Sequence, residues 1–244
     1  MKIAVIGCGN MGGAIVKGLY DSGLCTASDL FCADVMPQNL DAMKAIDSGI
    51  YVSNINAEVV KLADYVILAV KPWLMNEVLD SIFSVLDLKK HTLISIAAGV
   101  ELAQIKEKLA GNFTLFRVLP NTAIALRQSM TFVSSLNASA DQVSAVLSIF
   151  SQLGKAIVIP ESQMAAYTSI SSCGIAYALR YVRAAVEGSV ELGIRPDIAQ
   201  DVIAQTIMGA ASLLLNNKEN AEVEVDKVTT PGGWTIKGLN KMEE

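Results

Sequence analysis

The chain has 244 residues, enough for one large domain or two smaller ones with cores of their own, and is 52% hydrophobic and 18% charged. Its net charge of −5, with no basic cluster to offset it, argues against a nucleic-acid partner. One histidine, His91, and four cysteines without a CxxC pair (Cys8, Cys25, Cys32, Cys173) leave no inventory for a zinc site or a His-based triad, so no metal is expected.

A mean hydropathy of +0.43 is high. The longest apolar stretches, such as residues 63–70 and 85–88, nevertheless fall short of the roughly 18–20 residues that span a bilayer. The first apolar run ends in a Gly-rich turn rather than a signal-cleavage site. These features predict a cytoplasmic protein with reduced thiols and no membrane span, whose apolar surface is buried between subunits.

Residues 2–6 (KIAVI) predict a strand, followed by the Gly-rich turn and a helix over about 11–22. A second strand is predicted over 29–34, a helix after Pro37, a short strand at 51–52 and a fully buried strand over 65–70 (YVILAV). A strand over 92–96, a helix from about Glu101 and strands near 115–118, 130–134 and 156–159 follow. Near-continuous apolar strands separated by helices predict a parallel sheet covered on both faces. After Pro160 the strand signal stops. Residues 162–216 show helical periodicity rich in Ala and Ser, broken near 193–196, with Asp197 placed to start the next helix. The expected division is an α/β domain over 1–160 and a helical domain over 161–244.

The strongest local motif is Gly7-Cys8-Gly9-Asn10-Met11-Gly12, directly after the first strand. A GxGxxG pattern alone is weak, but here a strand precedes it, a helix follows, and Asp34 ends the next strand. Gly7 then permits the tight turn, Gly9 lets the backbone approach a pyrophosphate, and Gly12 allows close helix–sheet packing. The alternative is a purely structural turn. A carboxylate at Asp34 would accept the ribose hydroxyls and repel a 2′-phosphate, predicting NADH over NADPH. Alternatively it faces solvent or caps the turn before Pro37. Val35, Met36 and Pro37 offer no Arg or Lys to a 2′-phosphate.

Ala69-Val70-Lys71-Pro72 and Ala97-Ala98-Gly99 follow two further strands, at the end where open α/β sheets bind ligands. Lys71 is open to two readings, a functional cation or a surface lysine. Residues 228–236 (VTTPGGWTI) combine a forced turn with hydroxyls at Thr229, Thr230 and Thr235 and a helix start. That combination suits either a carboxylate cradle or a simple capped turn.

Six segments in order, GCGNMGGAI (7–15), LAVKP (68–72), SIAAGV (95–100), RVLPNT (117–122), SSCGIAYAL (171–179) and TTPGGWTI (229–236), make the chain resemble the pyrroline-5-carboxylate reductase family over nearly its whole length. The resemblance implies a Rossmann-type dinucleotide-binding domain followed by an all-α dimerisation domain, with the active site completed by helical elements of a homodimer or larger homo-oligomer. It implies NAD(P)H along Gly7 to Gly12, with Asn56 near the adenine and Ala69 to Pro72 near the ribose and nicotinamide, where the strand-end position of the small Ala97 and Ala98 already leaves room for the nicotinamide ribose. The substrate carboxylate would be held by Thr230, Gly232, Gly233 and Thr235. The implied reaction is reduction of 1-pyrroline-5-carboxylate to L-proline, the last step of proline biosynthesis. The chain departs from the family pattern at Ile175, where Gly-Pro-Ala-Tyr is usual, at the bulky Trp234, and at Asp34, where NADPH-preferring members carry Ser or Asn with a basic neighbour. It also ends at Glu244, where relatives carry a further helical stretch.

The scarcity of histidine fits this chemistry. Ketone reduction needs an acid for the developing alkoxide, whereas a protonated cyclic imine is already an electrophile that hydride transfer discharges. Thr235 is the candidate for a hydrogen bond to the imine nitrogen or the carboxylate. The competing readings are another Rossmann imine or 3-hydroxy acid reductase, and a non-catalytic dinucleotide sensor. A 3-hydroxy acid enzyme would rely on a lysine in the helical domain, and residues 162–193 contain none.

Overall fold

The structure, a computed structural model, describes residues 1–244. Its elements in chain order are β1 (Ile3–Ile6), α1 (Asn10–Asp21), β2 (Leu30–Ala33), α2 (Pro37–Ile46), β3 (Tyr51–Ser53), α3 (Asn56–Leu62), β4 (Tyr65–Leu68) and α4 (Met75–Phe83). They continue as β5 (Thr92–Ser95), α5 (Leu102–Leu109), β6 (Thr114–Leu119), β7 (Ser129–Leu136), α6 (Ala140–Ser151) and β8 (Gly154–Val158). Four further helices follow: α7 (Met164–Glu191), α8 (Pro196–Asn217), α9 (Ala221–Lys227) and α10 (Trp234–Met242).

All eight strands join one sheet in the order β3-β2-β1-β4-β5-β6-β7-β8. Its first six strands are parallel and doubly wound, so the strand order reverses between β1 and β4. Strand periodicity builds a core on each face. Ile3 and Val5 of β1 pack with Ile15, Val16 and Leu19 of α1 and Phe150 of α6. Ala4 and Ile6, pointing the other way, pack with Val59 and Val60 of α3 and Leu79 and Ile82 of α4. Each residue of β1 is buried, which is why its sequence is an unbroken apolar run rather than an alternating one.

One expectation is corrected: the sheet is not wholly parallel, because β7 runs antiparallel to β6. Their connection, residues 120–128, holds only a short 3-10 helix (Thr122–Leu126). A parallel return needs a crossover of about a dozen residues or more, so the shorter connection turns the strand back.

By its internal contacts the chain forms two compact units, Met1–Gly174 and Ile175–Glu244. The division falls inside α7, because the first turns of that helix pack on the sheet. Met164 is buried with Phe132 and Ile159, and the Tyr167 ring lies 4.6 Å from that of Phe132. The second unit is helical throughout. Gly193, at φ +85°, ends the preceding helix in the left-handed region. Helix α8 then begins at Pro196, one residue before the expected Asp197, because proline at the first helical position needs no N–H partner. Helix α8 also corrects the expectation that no segment is long and apolar enough to span a bilayer. Its 22 residues are long and apolar enough to cross a membrane by length and composition, and nearly all of the helix is exposed in the single chain. The polar residues that interrupt its sequence, Asp201 and Gln205 among them, do not outweigh the apolar majority.

His91, the single histidine, is buried just before β5. Its Nδ1 accepts the Asp87 N–H at 2.9 Å and its Nε2 lies 3.1 Å from the Val60 carbonyl, an arrangement that suits the neutral ring with its proton on Nε2. Burial pushes the imidazole pKa below its usual 6.5. Below pH 6.5 the unfolded chain therefore takes up a proton that the folded one refuses. Stability should be full above that pH and fall as pH drops towards the lowered folded value, by at most about 1.4 kcal/mol per pH unit for one proton. Urea titrations between pH 7.5 and 5.5 should show this slope in the native protein and lose it in His91→Gln, whatever that variant's baseline stability.

Candidate functional site

The Gly-rich turn lies at the carboxyl end of β1, beside the reversal in strand order. Gly7 sits at φ +90°, and a Cβ there would come within 2.6 Å of the Ala69 carbonyl oxygen. A Cβ on Gly12 would overlap the Gly7 carbonyl. Both glycines are thus required by the protein's own packing. Gly9 is different. Its φ of −67° suits any residue, and a Cβ there would meet nothing within 4 Å. The bare backbone at Gly9 leaves open space that the fold does not use, directly before the start of α1.

That helix start is uncompensated. The first i→i−4 bond runs from the Gly13 N–H to the Gly9 carbonyl at 2.7 Å, so the amides of Asn10, Met11 and Gly12 precede it. No side chain caps them, and the first turn carries no acidic residue. Free amides, a helix dipole and open space at Gly9 fit a dinucleotide pyrophosphate.

Asp34, at the end of β2, is held on both carboxylate oxygens. Its Oδ2 accepts the Cys8 N–H at 2.7 Å and the Asn39 Nδ2 at 3.0 Å, and its Oδ1 accepts the Met36 N–H at 2.8 Å. It therefore caps the turn before Pro37 and also grips the Gly-rich turn. Cys8 is buried, and its thiol pKa is pushed up by a hydrogen bond with Cys32 and then by burial, so it is no nucleophile.

The other strand-end residues gather along the same edge. Ala69 donates its N–H to the Ile6 carbonyl at 2.8 Å, and Val70 packs beside Gly7. Pro72 opens a one-turn 3-10 helix, with Lys71 exposed before it and paired with no carboxylate. Ala97, buried, and Ala98, exposed, follow β5. Asn56 begins α3 after β3 and donates to Ser81 Oγ on α4 at 2.9 Å. Sequence reasoning missed two supports. Asn39 is one. The other is Glu161, whose Oε1 accepts the Leu102 N–H at 2.8 Å and the Arg117 Nη1 at 3.1 Å, fastening the chain just after the Ala97-Ala98 segment.

The Thr/Pro-Gly-Gly segment belongs to the second unit. The Gly233 N–H donates to the Thr230 carbonyl at 3.0 Å across Pro231 and Gly232, and Gly232 has φ +72°. Proline followed by a left-handed glycine is the type II turn signature. Helix α10 then starts at Trp234 with no side-chain cap and no acidic first-turn residue. Thr235 donates its hydroxyl proton to the Val228 carbonyl at 3.0 Å, which leaves its oxygen free to accept. Trp234 is 90% exposed, with Lys237 Nζ 5.5 Å from its ring centroid.

Comparison with known proteins adds to this geometry. A family model described as pyrroline-5-carboxylate reductase dimerisation matches residues 161–244, and one described as NADP oxidoreductase, coenzyme F420-dependent, matches residues 2–99. The pyrroline-5-carboxylate reductase of Methanosarcina acetivorans is 35% identical over 244 residues, spanning 100% of this chain and 90% of that protein. The chain belongs to the pyrroline-5-carboxylate reductase family. Pyrroline-5-carboxylate reductase 1 of Dictyostelium discoideum is 36% identical over 99% of the chain, which spans only 45% of that longer protein. Among solved structures, a pyrroline-5-carboxylate reductase from Coxiella burnetii matches with a TM-score of 0.92 at 29% identity, over 99% of this chain and 90% of that one. The Plasmodium falciparum pyrroline carboxylate reductase with NADP bound shares the fold, with a TM-score of 0.87 at 24% identity over 100% of this chain and 89% of that one.

The family assignment supports a nicotinamide cofactor and a homo-oligomer. The matched dimerisation segment contains α8, the apolar helix that lies exposed in the single chain.

The contrast between the glycines is testable. Gly9→Ala should melt with the native protein yet bind nucleotide at least about tenfold more weakly, since it adds bulk only to the open space. Gly12→Ala should instead lower the melting temperature, because its methyl strikes backbone. Fluorescence titration with NADH and thermal melts read the two effects separately.

Proposed function

We propose that the protein reduces the C=N bond of 1-pyrroline-5-carboxylate to L-proline with NAD(P)H, as a cytoplasmic homodimer or larger homo-oligomer in proline biosynthesis. The observation that carries this reading is the pairing of a dinucleotide turn having unused space at Gly9 with a Thr/Pro-Gly-Gly turn, in a chain of this family. Residues Gly7 to Gly12, Asp34, Asn56, Ala69 to Pro72, Ala97 and Ala98 would hold the cofactor. Thr230, Gly232, Gly233 and Thr235 would hold the substrate, within the helical domain over 161–244.

The nicotinamide supplies hydride to the imine carbon when bound. The chain's part is to orient the substrate and match its charges. His91 stands at the amino end of β5, opposite to the strand ends that carry the cofactor residues, and both its nitrogens are engaged. A reaction that needs no histidine acid is therefore favoured. Thr235 has a particular role in it. Its proton is committed to Val228, so its oxygen is an acceptor, and of the two candidate partners only the protonated imine N–H is a donor. The substrate carboxylate is left to the N–H groups at the start of α10.

Asp34 supports a preference for NADH. The carboxylate is fixed on three donors, and no residue from 35 to 39 is basic. A 2′-phosphate would face it without a counter-charge.

Oxidation of NADH and of NADPH with 1-pyrroline-5-carboxylate, followed by absorbance, tests the activity and the preference together. Turnover with NADH the better cofactor is expected; nucleotide binding without turnover would point to a sensor. Thr235→Ala should lower kcat at least about tenfold while leaving the NADH Kd unchanged. An unaltered rate would remove Thr235 from the mechanism.

A further inference from the structure

We propose that Asn39 is a positioning residue for cofactor choice, which it exerts by fixing the Asp34 carboxylate; this rests on the reading that Asp34 selects the unphosphorylated ribose. An ionised carboxylate offers about four lone-pair sites. In Asp34 three are taken: the Cys8 N–H and Asn39 Nδ2 on Oδ2, and the Met36 N–H on Oδ1. One acceptor site remains, on Oδ1. Asp34 is therefore built to accept a single ribose hydroxyl from a fixed direction.

The three donors come from three places: the Gly-rich turn, the turn after β2 and the first turn of α2. Two are backbone amides, which no substitution other than proline removes. Asn39 is the only side chain among them, and its own backbone N–H is separately held by the Met36 carbonyl at 3.0 Å. The side-chain amide thus contributes little to the helix start and is spent on the carboxylate. With it gone, Oδ2 keeps one donor and gains a free lone pair, so the carboxylate loses the brace that sets the angle of Oδ1. Hydride transfer itself takes place at the other end of the cofactor and does not feel the change.

The test is steady-state kinetics of full-length Asn39→Ala and the isosteric Asn39→Asp with both cofactors, alongside Asp34→Ser. Asn39→Ala should raise the KM for NADH about three- to tenfold, with kcat unchanged and the KM for NADPH within about twofold of native. Asn39→Asp, which replaces the donor by a second carboxylate, should raise it further. Asp34→Ser should shift the NADH/NADPH ratio of kcat/KM by at least about tenfold towards NADPH. Equal losses with both cofactors, a loss in kcat, or no change in the Asn39 variants would overturn the assignment while Asp34→Ser still shifts the ratio. A ratio unmoved by Asp34→Ser would overturn the underlying reading of Asp34 and the Asn39 proposal with it.

Discussion

Helix α1 and the backbone of the Gly7 turn meet so closely that no side chain fits between Gly12 and the Gly7 carbonyl. From that contact the rest of the cofactor edge follows. It fixes where α1 begins, and so where its free amides point. It also brings Gly7 against the Ala69 carbonyl, tying the turn after β1 to the segment after β4. Asp34 adds the third tie, through the Cys8 amide. One hydrogen bond, from the Cys8 N–H to Asp34, thus links the proposed pyrophosphate and ribose contacts. The carboxylate that would read the ribose accepts this backbone N–H independently of its bond to Asn39.

The second unit obeys a different constraint. Of its residues only Ala199 is buried below one-tenth exposure, while Tyr177, Leu179, Val202, Met208 and Leu215 are exposed in the single chain. Helices that are apolar on several faces need a partner surface, either lipid or protein. Length and composition alone do not separate the two for α8, which is why hydropathy misleads in either direction here. The match of residues 161–244 to a dimerisation model supports protein, in keeping with the chain-wide mean hydropathy of +0.43.

Much of this was legible in the sequence, and the exceptions have physical causes. Strands β1 and β4 are buried on both faces, so their apolar runs stand out from their surroundings. Strand direction is another matter. The period of β7 is the same whichever way it runs, and only the shortness of the 120–128 connection sets it against β6. Helices α3 and α4 are short and begin without side-chain caps, which leaves little local signal. Helix α6, by contrast, carries a readable start in the Ser139 and Gln142 capping box. Asp34 posed a choice between capping a turn and facing the ribose, and the geometry makes these compatible, because one carboxylate has sites for both. The Glu161 support was not readable at all. Its partners Leu102 and Arg117 lie 59 and 44 residues away, and no local pattern announces a contact of that span.

The chemistry sets the last constraint. Hydride addition to a carbonyl leaves a charge that some acid must quench, and the enzyme must keep that acid protonated at working pH. Addition to a protonated imine removes a charge instead. The protein then needs only an acceptor for the iminium N–H and donors for the carboxylate. In the proposed reaction Thr235 would supply the first because Val228 takes its proton, and the uncapped start of α10 would supply the second. Neither group titrates near neutral pH, so a site built on them would work without the shifted pKa that marks most acid–base enzymes. The one residue whose ordinary pKa lies in that range, His91, is spent on holding the chain ahead of β5.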